Sequence, residues 1–202
     1  MVNFFQDPQI FDDLKKIVKQ FKDINIEFYI ISGGLQEIIN GSETVQNNFT
    51  AVYGCELGEN AEHGHLNYIK RAISFTEKTR YIFEINKGIT PDEVKKEPFL
   101  VNKDISDNSR RIPLENMIYV GDGLTDIPCF SLIMRGHGVA FGVFDPSQQK
   151  SAKQALQEYI ITKRVVSAHA PNYLADVELG SLIRAAVTSK CANITLRRRE
   201  AE

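Results

Sequence analysis

With 202 residues, 43% of them hydrophobic, the chain fits one domain, or one with a small appendage, and can bury a full core. Its 24 Lys and Arg against 26 Asp and Glu leave a formal net charge of −2, so no basic field argues for nucleic acid as a partner. No apolar run approaches the roughly 20 residues that a membrane span needs. The three cysteines lack metal or redox spacing and read as free thiols, so the expected setting is cytoplasmic.

Asp7-Pro8 opens a first helix with a cap residue and a proline. Ile10, Phe11, Leu14, Ile17, Val18 and Phe21 then recur at a helical period, up to about residue 22. Ile26–Ile31 is short, β-branched and aromatic, and predicts a buried strand. Helix is expected over Leu35–Val45 and strand over Phe49–Cys55. The polar residues from Glu56 to Tyr68 suggest a loop or small hairpin before an extended piece near Ala72–Phe75. Thr76 is the expected cap of a helix running to Asn86, with Gly88 as its stop. Thr90–Pro113, charged and proline-bearing, reads as loop with one helical turn. A strand at Met117–Val120, a helix to Met134 and a strand at Val139–Val143 follow. Then come a helix over Ser147–Thr162, a strand at Val165–Ala168 and a final helix over Val177–Thr188. Alternating strands and helices predict an α/β fold with a mostly parallel sheet. Residues 191–202, with Arg197, Arg198 and Arg199, are expected to form a flexible charged tail after a core spanning 1–190.

Three motifs carry chemistry. Gly121-Asp122-Gly123-Leu124-Thr125-Asp126 stands directly after the apolar run Met117–Val120. Glycines there permit a sharp turn, and Asp122 and Asp126 place hard oxygen ligands, suited to Mg²⁺, at the carboxyl end of a strand. The plainer reading is a helix cap by Thr125 or Asp126. Ser32-Gly33-Gly34 likewise follows an apolar strand, where a hydroxyl and exposed N–H groups can hold a phosphate; capping by Ser32 is its plainer reading. In Thr76-Glu77-Lys78-Thr79, a helix capped by Thr76 puts Lys78 in the first turn. A cation is unfavourable there by about 0.3–1 kcal/mol unless something anionic is near; a solvated surface lysine is the alternative.

In this order, strand-Ser-Gly-Gly, helix-initial lysine and strand-Gly-Asp-Gly-x-x-Asp resemble motifs two, three and four of the haloacid dehalogenase (HAD) superfamily of phosphohydrolases. The branch most similar is that of phosphoserine phosphatase, and the resemblance covers residues 9 to 187 or so. It implies a Rossmann-like core whose mostly parallel sheet is sandwiched by helices, with Mg²⁺ as cofactor and a phosphorylated small molecule as substrate. It also implies that Ser32, Gly33 and Lys78 bind the phosphoryl group, Lys78 and Asp126 serve catalysis, Asp122 ligates the metal, and Asp126 supports the metal and its water.

The family's first motif, Asp-x-Asp-x-Thr, occurs nowhere in the 202 residues. Phe4-Phe5-Gln6-Asp7-Pro8-Gln9 has Gln9 where the second aspartate belongs, and Asp12-Asp13 lies within a helix. By the resemblance, the nucleophile and the central strand bearing it are absent, so the chain is expected to be catalytically incomplete alone. It is also expected either to recruit the missing segment or to self-associate. The alternative is a non-catalytic phosphatase-like domain with a binding or assembly role, or none; a receiver-type phospho-acceptor fits less well, because Asp122 has no acidic pair upstream. Among other residues, His63 and His65 read as a solvated loop, His137 and Asp145 as turn or cap residues and Cys129 as core. His169 shows no partner in the sequence.

Overall fold

The computed structural model describes residues 8–59 and 66–200. His63, His65 and Asp7 lie outside the described residues. In chain order the elements are α1 (Gln9–Val18), β1 (Tyr29–Leu35), α2 (Gln36–Asn40), α3 (Glu43–Asn48), β2 (Ala51–Glu59), β3 (Leu66–Arg71), α4 (Phe75–Lys87) and α5 (Pro91–Lys96). They continue with β4 (Ile118–Gly121), α6 (Ile127–Arg135), β5 (Val139–Val143), α7 (Gln149–Gln154), β6 (Ser167–His169) and α8 (Glu178–Glu200). Among the described residues no helix is long and apolar enough to cross a membrane.

Instead of a single core, the chain divides into two compact units. One is the continuous segment Glu27–Pro113; the other joins the residues up to Ile26 with those from Leu114 onward. The fold is mixed α/β with two small three-stranded sheets, ordered β1-β2-β3 and β4-β5-β6.

In the Glu27–Pro113 unit, β1 runs parallel to β2, and β3 returns antiparallel along β2. Helix α4 packs on β1. The Ser74 N–H bonds Glu77 Oε2 at 3.1 Å, and the Lys78 N–H reaches the Ser74 carbonyl at 3.3 Å. Ser74, not Thr76, is therefore the cap, because its carbonyl already accepts the first helical bond. Gly88 ends α4 with φ +74°, the left-handed stop that glycine adopts without penalty. The helix expected over Leu35–Val45 is two short ones, interrupted at Gly41-Ser42, which lie between α2 and α3.

In the other unit β4, β5 and β6 are all parallel. The core comes from β5, where Ala140, Phe141 and Val143 are buried, and from α6, where Cys129 and Phe130 are completely so. After α7 the helix widens over Ala155–Ile160, where the Ile161 and Arg164 N–H groups reach back five residues to Leu156 and Tyr159. That π-type geometry accompanies the burial of Tyr159.

Residues 191–200, expected as a tail, continue α8. Leu179, Ile183, Val187 and Cys191 are all buried at four-residue spacing, so the packed stripe runs past Thr188. Arg197 pairs with Glu115, and Arg198 donates to the carbonyls of Lys22 and Asp23, which anchors the basic end. Helix α8 packs on α1, and Arg184 Nη2 bonds Asp13 Oδ2 at 2.7 Å.

Candidate functional site

Strand β4 pairs with β5 up to Gly121↔Gly142 and then opens into the loop that carries both aspartates. Asp126 is only 3% exposed. Its Oδ2 accepts the backbone N–H groups of Asp122 and Gly123, each at 3.1 Å, and its Oδ1 accepts the Tyr119 hydroxyl at 2.7 Å. A buried carboxylate needs such donors, and here they also set the loop's path. Asp126 occupies the cap position of α6, yet makes no side-chain cap bond to that helix. Its carboxylate turns back into the loop, so the plain capping reading does not describe it.

The two glycines have different reasons to be there. A Cβ on Gly121 would lie 2.7 Å from Asp126 Cγ, so the close approach of the carboxylate requires glycine. Gly123 has an extended backbone with φ −134°, and a Cβ there would press only on Thr125 Oγ1 at 3.3 Å. Gly123 thus makes no use of the left-handed backbone open to glycine. Tyr119 and Gly121 are two apart on a strand and share a face; one offers a donor and the other a space to the same carboxylate.

Asp122 is exposed at the end of β4. Three tyrosines feel one or both of these carboxylates. Burial first, then Asp126, pushes the Tyr119 hydroxyl well above its ordinary range. Burial and the Asp122 charge bring Tyr173 up to about 12. Tyr159 is raised by burial, against the opposing Gln154 amide and with support from Asp126 and Asp122. None of the three was singled out from sequence. The signal available for Tyr119 was its two-residue spacing from Gly121.

Ser32, Gly33 and Lys78 belong to the Glu27–Pro113 unit. The register passes from Ile31↔Tyr53 to Leu35↔Cys55, four residues of β1 against two of β2, so Ser32-Gly33-Gly34 bulges out of the ladder. Ser32 Oγ accepts the Gly34 N–H at 3.0 Å, closing the bulge, while Leu35 holds the cap position of α2. Cys55 Sγ lies between the Gly33 carbonyl at 3.2 Å and the Ile73 N–H at 3.3 Å. It ties the bulge to the residue just before the Ser74 cap. The bulge and the first turns of α4 thus meet. Lys78 is the fourth residue of α4, at the end of its first turn as expected, and is buried at 7% exposure rather than solvated.

The structure therefore brings Asp122 to Asp126 in one unit, and Ser32 and Gly33 to the start of the Lys78 helix in the other. The remaining sequence candidates have local duties. His137 sits in a turn at φ 61° after α6, and its carbonyl accepts Lys190 Nζ at 2.9 Å. Asp145 accepts the Ser147 N–H and hydroxyl and the Gln148 amide. His169, without a visible partner in sequence, bonds Glu178 Oε2 at 3.1 Å and Ser167 Oγ at 2.7 Å. Among the described residues no three His, Cys, Asp or Glu side chains cluster as metal ligands.

No family model matches the chain, and no solved structure matches it. It is similar to a Borreliella burgdorferi protein described as uncharacterized, with 28% identity over 139 residues covering 61% of this chain. The chain spans about half that relative's length, 46% of it.

Proposed function

We propose that the chain is part of a Mg²⁺-dependent phosphomonoester hydrolase of the HAD type whose attacking carboxylate comes from outside these 202 residues. The observation that carries the reading is the Gly121–Asp126 loop. A parallel strand ends in a buried carboxylate that collects two backbone N–H groups and a tyrosine hydroxyl, and so fixes an exposed carboxylate at the strand's carboxyl end. Open α/β sheets bind ligands at that end.

The donor set suits a hard cation. Asp122 would be the direct ligand, through a carboxylate oxygen, and Asp126 would hold the loop and the surrounding water. Mg²⁺ commonly keeps several waters and uses one or two carboxylates. Bound there, it would neutralise charge on a phosphoryl oxygen. In the Glu27–Pro113 unit, the resemblance gives phosphoryl binding to Ser32 and Gly33 on the β1 bulge and to Lys78. Among the described residues β4 ends the order of its sheet, and an open strand edge readily accepts another strand. A segment carrying Asp-x-Asp-x-Thr would be such a strand.

The test measures Mg²⁺-dependent hydrolysis of p-nitrophenyl phosphate by the chain, with and without a fused or added Asp-x-Asp-x-Thr strand. Activity is expected only with the added strand, and Asp122→Asn should abolish it. No activity in either form would leave a non-catalytic domain as the reading. The lack of the first motif within the chain already favours that as the second reading.

A further inference from the structure

Away from the motifs, one face of α4 borders a cavity of about 560 Å³ that lies wholly within the Glu27–Pro113 unit. That volume falls in the range of small-molecule sites. Thr79, Arg80, Phe83 and Lys87 come from α4, and Phe99 and Arg110 from the segment that follows. Three lining side chains are cations and none is a carboxylate.

The cations are fixed in place. Arg80 Nε bonds Glu84 Oε1 at 2.8 Å. Arg110 bonds Asp107 through Nε at 2.9 Å, and the fully buried Asn86 through Nη1 at 2.6 Å. Lys87 Nζ is held by the carbonyls of Val101 at 2.7 Å and Lys103 at 2.6 Å. Of these partners only Glu84 and Asp107 are anionic, so three positive charges face two negative ones. Among the described residues, both terminal nitrogens of Arg80 and the Nη2 of Arg110 hold no hydrogen bond. Guanidinium groups already oriented by other bonds lose little freedom on taking an oxyanion. Beside them Phe99 leaves 77% of its surface in water.

We infer that this cavity binds a small aromatic phosphate of the nucleoside monophosphate class. Arg80 and Arg110 take the phosphate, Lys87 adds charge, and the ring lies on Phe99 against Phe83. The inference does not rest on the phosphatase reading, since none of these residues belongs to that candidate site.

The experiment is titration calorimetry without Mg²⁺, using AMP, adenosine and inorganic phosphate as probes. AMP should bind at least about tenfold more tightly than either fragment, the scale of one charge-assisted hydrogen bond. Arg110→Gln should weaken AMP roughly tenfold and leave adenosine unchanged. Phe99→Ala, on an exposed side chain that the fold does not need, should weaken AMP and adenosine roughly fivefold and spare phosphate. If Arg110→Gln does not fold, loss of AMP affinity with rising salt, not shared by adenosine, stands in for it. AMP binding that equals phosphate, or that survives Phe99→Ala unchanged, overturns the inference. So does binding abolished by Ser32→Ala, which would move the nucleotide to the β1 bulge.

Discussion

Gly121→Ala is the sharpest probe of how the aspartate loop is held. The new methyl would stand 2.7 Å from Asp126 Cγ, 2.8 Å from its Cβ and 2.9 Å from Oδ2. Asp126 cannot swing aside freely, because Oδ2 is bonded to two backbone N–H groups and Oδ1 to Tyr119. Overpacking alone costs about 1–3 kcal/mol, and each hydrogen bond to a charged group that breaks adds about 1.5–3 kcal/mol. With one such bond lost, the expected destabilisation is roughly 2.5–6 kcal/mol. At about 2–4 °C per kcal/mol for a chain of this size, Tm should fall by roughly 5–24 °C. Thermal melts and urea unfolding read the single change, and a cycle with Asp126→Ala reads its cause. Without Cγ and Oδ2 only the 2.8 Å contact with Cβ remains. In that background Gly121→Ala should therefore cost less, by at least about 1 kcal/mol. A loss of under about 2 °C for Gly121→Ala, or strict additivity with Asp126→Ala, would refute the idea that glycine is present to admit the carboxylate.

Tyr119→Phe removes one donor from Asp126 and should cost about 1–2 kcal/mol by urea unfolding, with Mg²⁺ affinity by calorimetry falling less than in Asp122→Asn. Burial holds the Glu84 carboxyl above its ordinary 4.5, against the opposing Arg80 guanidinium. Between 4.5 and that higher value the native state keeps a proton the unfolded chain has lost, so stability should fall as pH rises through this window. Glu84→Gln should remove that component from a pH series of unfolding midpoints. Gly88→Ala puts a Cβ at φ +74° and 2.6 Å from Arg111 Cδ, and should lower stability by about 1–2 kcal/mol in the same unfolding assay, with Gly88→Asn milder.

The elements most legible in sequence were those whose pattern is local. Val139–Val143 is a strand with the limits its apolar run predicts, and Gly88 stops α4 as a left-handed glycine. Boundaries failed where a tertiary partner outweighed local character. The three arginines near the end of α8 look like a solvated tail until Glu115 and the carbonyls of Lys22 and Asp23 are placed beside them. Those partners lie far away in sequence. The helix expected over Ser147–Thr162 starts at Gln149 and widens at Ala155, where the burial of Tyr159 takes over from helical repeat. The division into two units was also hidden. The residues before Glu27 join those after Pro113, and helical or strand periodicity says nothing about which distant segments share a core.

At the candidate site, the residue types were readable and their division of labour was not. Two aspartates in Gly-Asp-Gly-x-x-Asp look equivalent as oxygen donors. Burial separates them: the 3% exposure of Asp126 obliges it to find donors inside the fold, and it finds them in the loop that presents Asp122. The strand had already announced this arrangement. On the face shared by alternate residues, β4 carries a hydroxyl at Tyr119 and a missing side chain at Gly121, and both serve one carboxylate. A polar aromatic two residues before a glycine, at the end of an apolar strand that leads to a carboxylate, is thus a pattern with a physical cause. It marks the aspartate that holds the loop and leaves the other exposed at the strand's end.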